Sequence, residues 1–365
     1  MKKFIARVGA LALAVLAPIA ASAHEVYVLT PAEIQKDIAT PPFSMVDVLM
    51  ADLHRFFFWA FIGILTVFII FWASFIRKLE NWVLPTLGRL RQYAPVVSRV
   101  TIGLSFLAGA YYQATYGPEL PLAASWGMLS PLITAVLVIS GLCIIVGFLT
   151  RLAALAGLAL FTAAVYMHGM YMLTYLSYLG EFIVLLLLGS HRLSVEVGHG
   201  KGTVAQTAPR GFSGIGANIT STFAPYSFSI LRVCFGISFV FSSIYAKFLH
   251  NNLALDVANG TGLLPSIAPH ALTVAQLLHF EPHFLVLGAC IVEVVIGMFF
   301  ILGIEIRFTA LFIEFWLALS LWYFGETVWP HLILFGIPIA FILYGYDKYS
   351  LEGMLFKDPK RQPVF

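Results

Sequence analysis

"GLCIIVGFLTRLAAL" at residues 141–155 and "GMFFILGIEIRFTAL" at residues 297–311 place Gly, Gly, Arg, Ala and Leu at the same five offsets, 156 residues apart. The register continues without a gap through Gly169/Gly325, Gly180/Gly336, Gly189/Gly345, Ser194/Ser350 and Glu196/Glu352. Chance does not hold a register over so long a stretch, so a unit has been copied. Upstream, "RVTIGLSF" at 99–106 returns as "RVCFGISF" at 232–239, offset by 133, which puts 23 additional residues in the second copy within 249–283.

Composition says which solvent the copies live in. The 365 residues are 60% hydrophobic and 11% charged, with a mean hydropathy of +0.91, whereas soluble domains carry about 25% charge. The chain reads as an integral membrane protein in contact with a lipid bilayer. A net charge of +3 with no basic, aromatic-interleaved patch excludes nucleic acid as a partner. Residues 1–23 combine Lys2, Lys3 and Arg7, an apolar run and Ala21-Ser22-Ala23, the pattern of a secretory signal peptide. Its removal would leave His24 first and residues 24–55 as a periplasmic segment. Cys143, Cys234 and Cys290 lie inside apolar runs and read as small buried hydrophobes.

Phe56 to Ile76 carries no charge and is long enough to cross about 30 Å of hydrocarbon. It is followed by Arg77, Lys78 and an amphipathic connector to residue 95, expected to lie in the interface. Eight more spans are expected at 97–116, 128–149, 152–171, 175–190, 228–248, 284–304, 307–325 and 330–346. With the mature N-terminus outside, the cytoplasmic connections hold Arg77, Lys78, Arg89, Arg91, Arg99, Arg151, Arg192, Lys201, Arg210, Arg232, Arg307, Lys348, Lys357, Lys360 and Arg361. The opposite side keeps Lys36, Arg55 and Lys247. That asymmetry follows the positive-inside rule and predicts a bacterial inner-membrane protein with a cytoplasmic C-terminus. The expected fold is all-α, with two tandem parallel four-helix bundles at 96–198 and 226–353, preceded by one transmembrane helix. A polar linker at 199–225 joins them, and a cytoplasmic tail covers 354–365. Both copies start on the same side, unlike inverted repeats.

The residues common to both copies have structural readings: glycines allow close backbone approach, and Arg151 and Arg307 stand at tight turns. On "RVCFGISFVFSSIYAKF", on "VEVVIGMFFILGIEIRFTAL" and on the matching parts of the first copy, the chain resembles the DoxX/DoxD family of membrane proteins. The resemblance covers about 99–198 and 226–353. It implies four-helix membrane units, with relatives that include membrane subunits of a thiosulfate:quinone oxidoreductase and others that accompany redox partners.

Residues present in one copy only are the better candidates for chemistry. Glu293, opposite Leu137, sits at mid-span, where an ionisable group costs about 2.5–3.5 kcal/mol to insert. Glu314, opposite Leu158, is expected within about 5 Å of the same depth, so the two carboxyls could share a pocket and exchange a proton. Lys247, opposite Ala114, ends its helix. The rise puts it about 10 Å from the depth of Glu293, so direct pairing looks strained. Trp316, Trp322 and Tyr323 are available to line an apolar slot for a quinone headgroup and tail. In the first copy Glu181, opposite Ile337, is expected near His168, Tyr166 and Tyr175 as a second polar site. His24, His54, His250, His270, His279 and His283 enrich the external side. No full metal-ligand set can be named among them.

No Walker loop, dinucleotide fingerprint, G-x-S-x-G or C-x-x-C-H is present. The leading expectation is a membrane subunit of a redox system that interacts with quinone, works with a protein partner, and uses Glu293, Glu314 and Lys247. The alternatives are a metal or small-molecule binding or transport protein and a membrane anchor for an exported enzyme.

Overall fold

The computed structural model describes residue 29 and residues 31–190, 193–195, 210–260, 281–324, 329–347 and 349–355. The signal-peptide reading, His24, His270, His279 and most of the linker lie outside them. The helices are α1 Pro31–Ala39, α2 Met45–Asp52, α3 Phe56–Leu90, α4 Ala94–Tyr111, α5 Leu122–Trp126, α6 Ser130–Val146 and α7 Thr150–His168. They continue with α8 Leu176–Leu188, α9 Arg210–Ile244, α10 Asn251–Gly260, α11 Pro282–Leu302, α12 Ile306–Phe324, α13 His331–Tyr344 and α14 Leu351–Leu355. Five stretches are long and apolar enough to cross a membrane: Trp82–Tyr111, Leu122–Val146, Thr150–Leu188, Thr222–Leu249 and Pro282–Leu302. The chain is a multi-pass, all-α membrane protein.

Each expected span is largely helical, but two boundaries differ by ten residues or more. α3 does not stop at Ile76; it continues as one helix to Leu90 through the supposed interfacial connector, with Pro85 inside it. α9 begins at Arg210, within residues read as linker. Polar residues end an apolar run without ending a helix, because only lost hydrogen bonds or a strained backbone do that.

The repeat is visible as repeated geometry. α6 and α11 both close on left-handed glycines, Gly147 at φ 73° and Gly303 at φ 72°. In each case the glycine N–H and the next N–H return to the preceding turn: Gly147 and Phe148 donate to the Cys143 carbonyl, Gly303 and Ile304 to that of Phe299. The Arg151 Nε donates to the Leu186 carbonyl at 2.9 Å, and Arg307 Nε to that of Ile342 at 3.0 Å. Each arginine thus satisfies the last turn of the fourth helix of its own copy, a structural task.

Glycines set the crossings. A Cβ on Gly103 would stand 2.9 Å from the Gly141 carbonyl oxygen, and one on Gly236 would stand 2.6 Å from that of Gly297. These contacts lock first to second helix in each copy, α4 on α6 and α9 on α11. Between copies the arrangement is reciprocal: α8 packs on α9 and α13 packs on α4. Gly180 meets Cys234 while Gly336 meets Thr101, the same pair of positions exchanged. Helices of the two copies thus pack directly against one another.

One end of the helix layer carries Arg99, Arg151, Arg232 and Arg307 and is called the arginine end. The other, the cap end, carries α1, α2 and α10. There Asn251, fully buried, donates to the Phe43 carbonyl at 2.8 Å and accepts from the Phe43 N–H at 3.0 Å. Lys36 pairs with Asp256 at 3.4 Å, and Arg55 with Glu281 at 2.6 Å. The described part of the second copy's insertion thus holds the N-terminal segment.

Candidate functional site

α9 ends in a π turn, Tyr245–Leu249, which adds a residue to the helical circuit and is a local distortion found often at functional sites. Lys247 lies in it. Its Nζ stands 3.0 Å from Glu293 Oε2 on α11, with Lys247 5% and Glu293 8% exposed. The pairing that the helix rise made look strained is formed. The two α-carbons differ in depth, but α9 and α11 are antiparallel and each side chain leans toward its own helix N-terminus. Lys247 therefore leans toward the arginine end and Glu293 toward the cap end, and the heads converge. Two residues specific to the second copy make one buried ion pair, and Lys247 stands four positions before Asn251 of the insertion.

Glu314 turns elsewhere. Its carboxylate accepts from the backbone N–H of Ile339 on α13, one residue beyond Pro338, and its Oε1 is buried without a hydrogen-bond partner. Glu293 and Glu314 thus face different helices, α9 and α13. Trp316 stacks on Phe312 at 6.3 Å. The side chains of Trp322 and Tyr323 lie outside the described residues, although their backbone completes α12.

In the first copy the expected grouping does not form. Glu181 accepts a hydrogen bond from the Ser98 hydroxyl in the core. Tyr175 and Tyr171 instead donate to Glu119 Oε1, the latter at 3.0 Å. His168 Nε2 lies 3.2 Å from Ser125 Oγ, and Tyr166 is 93% exposed. Side chains at similar depth on different faces do not meet. Of the histidines expected on the external side, His250 packs on Tyr245 at 4.7 Å and His283 Nδ1 lies 3.4 Å from Glu281. Among the described residues no group of three His, Cys, Asp or Glu is placed to hold a metal ion.

Four polar residues of weight were not singled out from the sequence: Ser98, Glu119, Asn251 and Asp347. Asp347 accepts from Arg232 Nε at 2.8 Å and from Ser229 at 2.7 Å, while the same Arg232 donates to the carbonyls of Phe300 and Ile301. Ser98 was findable, because its counterpart in the second copy is Leu231.

Fold and site define an all-helical, multi-pass membrane protein with a buried ion pair in its second copy. No protein-family model matches the chain, and neither the curated proteins nor the solved structures yield a match.

Proposed function

We propose that this chain is the quinone-interacting membrane subunit of a redox system, with the headgroup held at Lys247 and Glu293 beneath the cap. The observation that carries the reading is their 3.0 Å pair, buried and absent from the first copy. A quinone presents carbonyl acceptors and, when reduced, hydroxyl donors. An ammonium donor and a carboxylate acceptor side by side meet both forms, and Glu293 gives the proton lost or gained a place to go. Glu314 is a second carboxyl in the same half of the chain, and Trp316, Trp322 and Tyr323 are the aromatic residues that the sequence offers for the slot. When bound, the quinone would supply two-electron, two-proton redox chemistry, with a protein partner as the other electron carrier.

The resemblance to DoxX-like units, read as two tandem four-helix bundles, supports a place among redox-linked membrane proteins. The arginine-rich end, read by the positive-inside rule, supports a bacterial inner membrane with the cap on the periplasmic side.

The test is mass spectrometry of an organic extract from the protein purified in mild detergent, comparing wild type, Glu293→Gln and Lys247→Met/Glu293→Leu. A stoichiometric quinone in wild type that is lost from both variants is expected. Quinone in all three would remove the pair from this role. Quinone in none, with helicity intact, would overturn the reading.

A further inference from the structure

The quinone reading leaves unused the most deeply enclosed carboxyl among the described residues of the first copy. Glu181, on α8, is 0% exposed. One carboxyl oxygen accepts from Ser98 of α4, the other is buried with no hydrogen-bond partner, and among the described residues Glu181 makes no ion pair. The fold does not need this arrangement. The equivalent places in the second copy are filled by Ile337 and Leu231, both fully buried, and the same α-helical register is kept. A carboxylate left charged there would have a single hydroxyl for company in a core closed to water, which is unfavourable. The neutral acid, which can both donate and accept, is the form this enclosure accommodates.

A neutral acid must get its proton from somewhere, and polar groups lead to it from one side. At the cap end Glu119 accepts from the phenols of Tyr171 and Tyr175. One turn deeper on α8 the Tyr178 hydroxyl donates to the Tyr116 carbonyl at 3.2 Å and lies against the Ser105 hydroxyl. One turn deeper again is Glu181, about 4.5 Å further along the helix. Tyr175 ends the 3-10 turn that leads into α8, Tyr178 and Glu181 are neighbours one turn apart on α8, and Ser98 and Ser105, seven apart, share a face of α4. Tyr171, Tyr175, Tyr178 and Glu181 have Thr327, His331, Leu334 and Ile337 as counterparts, so the second copy does not repeat the line. Toward the arginine end, by contrast, the neighbour of Ser98 is Arg99, whose guanidinium is turned to the Leu193 carbonyl at 2.7 Å.

We propose that Glu181 is a proton-binding site in the first copy, loaded and unloaded from the cap end past Glu119 and Tyr178. A proton arriving on Glu119 is balanced by one leaving the line onto Glu181. Each phenol or hydroxyl between them takes up one proton as it gives up another, Tyr178 turning from the Tyr116 carbonyl to do so, and is unchanged afterwards. This site stands independently of the quinone reading.

The experiment is infrared spectroscopy of the full chain in lipid vesicles, following the carbonyl stretch of protonated carboxyls and its shift on transfer to heavy water. In wild type a protonated-carboxyl band is expected that Glu181→Gln removes. The shift of that band should slow at least about tenfold in Tyr178→Phe, the scale of losing one hydrogen-bonded step. It should be unchanged in Tyr166→Phe, whose ring faces outward. The amide bands report that each variant is folded. If Glu181→Gln removes no such band, the site is not a proton holder. If exchange is as fast in Tyr178→Phe as in wild type, the line is packing and the route is overturned.

Discussion

Glu293 and Lys247 each carry a charge that its surroundings tolerate only in the presence of the other. Removing one partner of a buried pair leaves an uncompensated ion, at about 3–5 kcal/mol, whereas replacing both with apolar residues of similar volume is often neutral or stabilising. We expect Glu293→Ala to lower the midpoint of thermal unfolding in detergent sharply. Lys247→Met/Glu293→Leu should restore most of the loss. A double variant no better than the single would mean that the two residues are not coupled. Other residue-scale features divide in the same way. Arg232 with Asp347, and Arg151 and Arg307 with helix-end carbonyls, satisfy backbone and charge in both copies or at their ends, and so belong to folding. The pairings missed from sequence are all of this long-range kind. Nothing in the spacing of Asn251 or Asp347 announces a partner 208 or 115 residues away. Ser98 and Glu181 were legible only by asking where the two copies differ.

Helices and turns were far more legible, because apolar length and glycine position are local properties. The 156-residue register located the turns at Gly147 and Gly303, and the structure shows why those residues recur. Both adopt left-handed backbone, and a Cβ on either would approach Ser194 or Ser350 within 2.3 Å or 2.4 Å. We expect Gly303→Ala to destabilise the protein by at least about 1–2 kcal/mol, the conformational cost alone. Gly63→Ala, on α3 with nothing within 4 Å of the new methyl, should be neutral or slightly stabilising, since alanine is the better helix former. Unfolding midpoints of the two variants, measured side by side, check this. Equal effects would mean that the repeated turn glycine is not a steric requirement. What hydropathy could not show was where α3 ends and where α9 begins. Both continue as polar helix, and continuation depends on backbone geometry that an apolar window does not sample.

At the scale of the whole molecule, the cap joins the N-terminal segment to the second copy, and its attachment responds to pH in a direction that the geometry fixes. Asp37 on α1 is buried against α10. Loss of hydration and the neighbouring Asp256 carboxylate raise its pKa above the usual 3.8, while Lys36 opposes them. Burial likewise raises Asp52, with Arg55 lowering it and Glu281 raising it again. A carboxyl with a raised folded-state value binds its proton more tightly when folded. The stability it lends is fully present below 3.8 and is lost as pH rises through the folded value. Lys36 and Arg55 do not offset this in the acid range. Both values are raised further by their carboxylate partners, Lys36 chiefly by Asp256 and Arg55 chiefly by its hydrogen bond to Glu281, so both stay charged throughout. The cap should therefore hold more tightly in mild acid than at neutrality, and Asp37→Asn should remove part of that difference. Amide protection factors over 31–39 and 251–260, corrected for intrinsic exchange, are the measurement. At pH 7 the variant is expected to be better protected than wild type, and at about pH 3, where Asp37 is protonated in both states, the two should agree. A variant less protected at pH 7 would show that the charged form of Asp37, held by Lys36, is what fastens the cap.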